Sequence, residues 1–313
     1  MKKMSNLKTL FYLLITFTIM TGCSESDTSS QFIKYVDSWG SKGSNEGQFL
    51  YLEDLALDQA GNLIVSDALR ADVQLFSPQG RYINRIYTPD LFSKPEGVAV
   101  DRDGNIFVAD YLTGQIKKFD PSLKLLKIFS ELGEKEGQTI EAEFMSIGPN
   151  NLLYIAEAGN HRISVFDLEG IFKFSFGELG DAPGMMKRPE AAKLGPNGVV
   201  YVSDFGNDRI QKFTAEGDFI MSFGESGTEP GQFRKPTRIT IDKYGNVYVC
   251  DLGNDRIQVF DKEGAFKYMW GISGSKHGQF GNLHGIVINE KGTLYVADTA
   301  NNRIQVFQVL NFD

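Results

Sequence analysis

Glu53, Glu96, Glu143 and Glu190 occupy one slot of a recurring segment, and the next two copies of that slot hold Thr237 and His284. The spacing is 43 residues once and 47 residues four times. In three copies the slot follows a proline: Pro95, Pro189 and Pro236. Its surroundings repeat while the residue itself varies, so this is where chemistry belongs. Four carboxylates held at one level around an axis repel one another, which raises some of their pKa values unless a cation or basic ligand sits between them. Asp54 and Arg238 follow the slot directly and join the candidate channel and ligand-binding set. Oxygen donors of this kind suit Ca²⁺ or Mg²⁺ better than zinc. Glu53, Glu96, Glu143 and Glu190 are therefore the candidate ligands if the channel holds a divalent cation, Ca²⁺ first. The alternative is that the glutamates splay around a wet opening and bind nothing specific.

The elements that must position these residues are short strands. YVSDFGNDRIQKF, YVCDLGNDRIQVF and YVADTANNRIQVF align without gaps, and an acid recurs at Asp67, Asp110, Glu157, Asp204, Asp251 and Asp298. A phenylalanine keeps the same step at Phe76, Phe119, Phe166, Phe213, Phe260 and Phe307. Alternating runs rich in Val, Ile and aromatics, broken by turn signals, give a β pattern. In the fifth copy, Arg238 to Asp242, Val247 to Asp251, Arg256 to Asp261 and Ala265 to Trp270 are strands. Tyr244-Gly245-Asn246, Gly253-Asn254-Asp255 and Glu263-Gly264 are the turns. Four antiparallel strands per 47 residues make a propeller blade.

The chain ends specify closure. Ser38-Trp39-Gly40 and Gly47-Gln48-Phe49 repeat Met269-Trp270-Gly271 and Gly278-Gln279-Phe280, so the first strand, Phe32 to Trp39, is an outermost strand without its own blade. The last copy stops after its third strand, Arg303 to Val309. The expected fold is all-β: a six-bladed β-propeller of four-stranded antiparallel blades over 32–313, with the N-terminal strand completing the last blade and leaving no open edge.

The combination of G-x-F, a Pro-led inner strand, D-x-x-G-N, Y-V-x-D and N-x-R-I-Q-V-F resembles the NHL repeat. Copies four to six match it best. Copy one has Asp72, and copy two Gln115, in the slot filled by Arg162, Arg209, Arg256 and Arg303. The repeated acid–arginine pair is read as architecture, because every blade must solve the same folding problem. The resemblance also brings in enzymes. Peptide-amidating lyases of this family hold zinc with several channel histidines, whereas this chain has only His161, His277 and His284, of which only His284 falls in a channel slot and His161 reads as an exposed turn residue. Lactonases of the regucalcin type hold a divalent ion with channel carboxylates and amides, which leaves room for a hydrolase. No G-x-S-x-G, H-E-x-x-H, C-x-x-C or P-loop occurs.

Ahead of the repeats, Leu10 to Met20 is an apolar run behind a lysine-bearing start, too short to span a bilayer. Thr21-Gly22-Cys23 closes it and resembles a bacterial lipobox. Residues 1–22 are read as a lipoprotein signal peptide, Cys23 as the lipidated residue and 23–31 as lipid anchor and flexible tether. Cleavage removes Lys2, Lys3 and Lys8 and no acid, moving the formal charge from −8 to −11. That balance argues against nucleic acid. Cys250 falls where other copies carry Ser or Ala and is read as a small buried residue. The chain is expected to be a monomeric, membrane-tethered envelope propeller, a scaffold for a peptide, glycan or partner protein rather than an enzyme. The alternative is a metal-dependent, lactonase-like hydrolase or lyase working at the channel mouth.

Overall fold

The computed structural model describes residues 31–196 and 198–310. Those residues form six four-stranded antiparallel sheets. Five are built from consecutive strands, with inner strands Leu52–Leu57, Pro95–Val100, Ala142–Ile147, Pro189–Leu194 and Pro236–Ile241 in blades one to five. Blade six takes Leu283–Ile288, Thr293–Asp298 and Arg303–Val309 from the C-terminus and Ile33–Trp39 from the N-terminus. The register of that closure runs from Ile33 opposite Val309 to Trp39 opposite Ile304. Each inner strand also packs against the inner strands of both neighbouring blades, so the ring is complete. The segments read as signal peptide and tether, with Cys23, lie outside the described residues except for Gln31. Among those described, no helix is long and apolar enough to cross a membrane.

The core lies between blades. Leu55, Val65 and Phe76 of blade one meet Tyr295, Ala297 and Val306 of blade six, and equivalent residues fill the other interfaces. Cys250 is fully buried there, as expected of a small core residue.

Two repeated devices explain most of the repeated polar residues. In D-x-x-G-N the aspartate closes the turn between first and second strands: Asp242 accepts the Asn246 amide at 2.8 Å and its side-chain Nδ2 at 2.7 Å. Gly245 stands between them at φ +86°, a backbone conformation costly for any residue with a Cβ. The second device is the blade corner. Asp251 accepts the Arg234 amide at 2.7 Å and pairs with Arg256 Nε at 2.7 Å, while the remaining guanidinium nitrogens donate to Thr228, Glu229 and Gln232 carbonyls. One arginine thus ties the entering loop to the second strand.

Where the repeat departs, a neighbour substitutes. In blade one, Asp72 takes the arginine slot, and Arg70 reaches from two residues upstream to Asp72 at 2.8 Å and to the Gly43, Asn45 and Gln48 carbonyls. In blade two, with Gln115 in the slot, Lys117 pairs with Asp110 at 2.8 Å.

Candidate ligand site at the channel mouth

Every inner strand slips register at its start. Leu52 faces Asp67, yet Leu55 faces Val65, and the same slip occurs after Pro95, Ala142, Pro189, Pro236 and Leu283. A bulge of this kind takes residues off the ladder and re-aims their side chains. The bulged residues are the six slot residues and, except in blade four, where Ala191 pairs with Ser203, their successors.

Two glycines bring slot residues together. A Cβ on Gly97 would lie 2.3 Å from the Glu143 carbonyl oxygen, and one on Gly285 would lie 2.9 Å from that of Glu53. Without side chains there, blades two and three, and six and one, approach closely. The Glu143 carboxyl hydrogen-bonds to that of Glu96. His284 Nδ1 lies 3.0 Å from Glu53 Oε2.

Glu53, Glu96, Glu143 and Glu190 are all at least nine-tenths buried, so they do not splay into open water. Burial, reinforced by the charges of Glu190 and Glu96, holds the Glu143 carboxyl well above the usual carboxylate range. Burial likewise pushes Glu190 up to about 7, eased by His284 and reinforced by Glu96. Glu53 is raised by burial, with His284 partly offsetting it. Burial would depress the His284 imidazolium, but Glu53 more than offsets this and raises it.

The four glutamates line one mouth but form no cation cage. Among the described residues no three carboxylate, imidazole or thiolate groups gather into a cluster able to hold a metal ion. Glu53 turns to His284, and Glu96 forms an ion pair with Lys94. Gln48, Gln138, Gln232 and Gln279 turn back into their own loops and accept backbone amides there.

Asp54 and Arg238 pair with each other across the blades. Arg238 Nε lies 2.9 Å from Asp54 Oδ1, its Nη1 donates to the Met145 carbonyl at 3.2 Å, and its guanidinium stands 5.1 Å from the Phe144 ring centre. One side chain from blade five therefore links blades one and three. Burial lifts Asp54 to about 6, against the pull of Arg238. Thr237 is buried, and its backbone carbonyl accepts the Ser203 hydroxyl. His161 is half-buried rather than exposed: its Nδ1 accepts the Arg188 amide at 3.1 Å, the part that Asp208 and Asp255 play for Lys235 and Asn282.

A second ring was not anticipated. Two residues before each slot stand Tyr51, Lys94, Glu141, Arg188, Lys235 and Asn282. Arg188 pairs with Glu141 at 2.6 Å, Asn282 donates to the Tyr51 hydroxyl at 3.0 Å, and the Lys94 ammonium lies 4.1 Å from the Tyr111 ring centre. Burial and Glu143 raise Tyr111 to about 12. The fixed two-residue offset from the slot was the available sequence signal. The mouth is therefore acidic in its depth and carries three bases at its rim.

The NHL repeat model matches residues 92–119, 233–260 and 280–307. A 46-residue stretch is 44% identical to the Drosophila melanogaster protein brain tumor, covering 15% of this chain and 4% of that protein. Among solved structures, a virginiamycin B lyase from Staphylococcus aureus superposes with a TM-score of 0.63 at 16% identity, covering 89% of this chain and 99% of the lyase. A gluconolactonase from Xanthomonas campestris gives a TM-score of 0.65 at 13% identity, covering 84% and 88%. Identities this low speak for the fold alone. The chain is thus a six-bladed β-propeller, closed by its N-terminal strand, with NHL repeats matched in blades two, five and six.

Proposed function

We propose that this propeller is a binding protein of the bacterial cell envelope, tethered through acylated Cys23, whose channel mouth takes a ligand carrying an ammonium group, such as a peptide amino terminus. The observation that carries this reading is the buried Glu143 and Glu190 pair, both held above their usual range by burial and by the neighbouring glutamates. An ammonium placed among them supplies positive charge, and Lys94, Arg188 and Lys235 at the rim can take an acidic end. An organic cation fits better than a metal ion, because the carboxylates do not converge into a cage.

Binding should then expel a proton from Glu190. Titration with a small zwitterionic dipeptide should tighten as pH rises from 6 to 8, with a heat that depends on the buffer's own ionisation enthalpy. Affinity that is flat with pH, or unchanged in Glu190→Gln, overturns the reading. Melts with chelator, Ca²⁺ and Mg²⁺ belong beside it. A Ca²⁺-specific rise lost in the Glu96→Gln, Glu190→Gln double variant would put a metal in the mouth instead.

A second reading, hydrolase or lyase, is favoured by one observation. Glu190, at about 7, lies in the field of His284, and groups that titrate near neutrality suit general acid–base work. The lyase and lactonase folds noted above lend it analogy only. Turnover of a lactone or ester that disappears in Glu190→Gln while the fold survives would favour it over binding alone.

A further inference from the structure

At the end of the strands remote from the mouth, the closure seam between blades six and one holds a cavity of about 740 Å³ lined by Asp37, Trp39, Leu57, Pro78, Tyr295 and Val306, among others. Blades two to five show how this kind of inter-blade groove is filled. In blade two, Lys118 lies opposite Phe107 on the neighbouring strand. Its ammonium stands 5.5 Å from the Phe107 ring centre and donates across the gap to the Leu168 carbonyl at 2.9 Å and to Glu169 at 3.0 Å. In blade four, Lys212 lies opposite Tyr201, 5.5 Å from its ring centre, and donates to the Lys262 carbonyl at 2.6 Å. Blades three and five place valines there, but Phe174 and Tyr268 on the outer strand face Val165 and Val259 and fill the space.

Blade six has neither filling. Val306 lies opposite Tyr295 on one side and Asp37 on the other. The receiving groups remain in place. Tyr295 supplies the ring, and Pro78, the counterpart of Leu168 and Lys262, supplies the turn carbonyl, to which the Tyr295 hydroxyl donates at 3.3 Å. Asp37, Asp58 and Glu290 outnumber Lys291 around the opening.

We propose that the seam cavity binds a primary ammonium on an unbranched aliphatic tether, seated as Lys118 and Lys212 seat theirs: ammonium over the Tyr295 ring and toward the Pro78 carbonyl and Asp37, stem along Val306 and Leu57. Its volume is in the range of small-ligand pockets, and an ammonium over an aromatic face with a carbonyl acceptor is a favourable setting for a cation.

The probes are 1-aminohexane, 1-hexanol and a lysine capped at both ends, each titrated into the full protein by calorimetry. The amine should bind at least tenfold tighter than the alcohol. Binding of the capped lysine as well marks a protein side chain as the natural source, and binding of the free amine alone marks a small molecule. Val306→Lys should fill the groove from within, abolish binding and raise the melting temperature. Asp37→Asn, at an exposed position, should weaken the amine several-fold without altering the melt. Equal binding of amine and alcohol, or amine binding retained in Val306→Lys, overturns the proposal. Glu190→Gln should leave amine affinity unchanged, which separates this cavity from the mouth.

Discussion

The carboxylates of the blade corners and those of the channel mouth are equally withdrawn from water: Asp251 is fully buried and Glu190 is 8% exposed. Their company differs. Asp251 accepts from the Arg234 amide, Asn254, Arg256 and Gln258. Glu190 has no hydrogen-bond donor among the described residues and faces other glutamates. A corner charge is matched within its own blade, so it recurs with the blade. At the mouth Glu53 and Glu96 have His284 and Lys94, but Glu190 is left for something else to match, and there the residue changes from blade to blade. Satisfaction of buried charge thus separates architecture from site in a protein where both are acidic.

Removing a corner partner should have the largest effect. Arg256→Leu leaves Asp251 buried and unpaired and frees three loop carbonyls, which should cost about 3–5 kcal/mol in chemical denaturation. A loss below about 1 kcal/mol would mean that the corner is no more important to the fold than a surface pair.

The mouth should respond in the opposite sense. Glu190 is raised from 4.5 to about 7 in the folded state, so between those values the folded protein binds more protons than the unfolded chain. Stability from this group is greatest below pH 4.5 and falls as pH rises through 7. The loss should be on the order of 3 kcal/mol by pH 8. Glu190→Gln should flatten that slope and stabilise the protein at pH 8, while abolishing the pH-dependent ligand binding. A destabilised Glu190→Gln protein would move Glu190 into the architectural class.

Arg238 tests a position between the two. It is buried against Asp54 like a corner pair, yet it is unique to blade five. Arg238→Met should cost about 2–4 kcal/mol, and adding Asp54→Asn should recover much of that loss, because the unpaired charge is then gone. Additive losses would show instead that the contacts with Met145 and Phe144 hold the channel.

The ring closure and the corners could be read from the sequence because they are copied. Six aligned acids and phenylalanines over-determine strand register, and Trp39 matched with Trp270 reveals the swapped first strand. The mouth was legible by position and not by chemistry. Spacing alone located Glu53 through His284, but which side chains meet depends on Gly97 and Gly285 letting backbones approach, a tertiary effect with no period. The same limit explains Asp54 and Arg238. They are 184 residues apart in the numbering, and nothing local shows that one arginine crosses the channel to the other's blade. The seam cavity needed the comparison of Val306 with Lys118 and Lys212, whose meaning appears only when the groove is seen.

His161 offers the smallest expected effect and the most selective test. As one of three histidines it resembles a site residue, yet it stands in the slot of Asp208 and Asp255, at φ +56°, and accepts the same type of backbone amide as they do. Aspartate tolerates this left-handed conformation and offers an equivalent acceptor. His161→Asp should therefore change stability by no more than about 0.5 kcal/mol and leave dipeptide binding untouched. His161→Ala strands the Arg188 amide and should cost about 1 kcal/mol. His284→Gln, by contrast, removes the partner of Glu53 and should alter the pH profile of binding. If His161→Asp changed that profile as well, the rule that a residue doing its blade's repeated task is architecture would fail at the position where it makes its clearest claim.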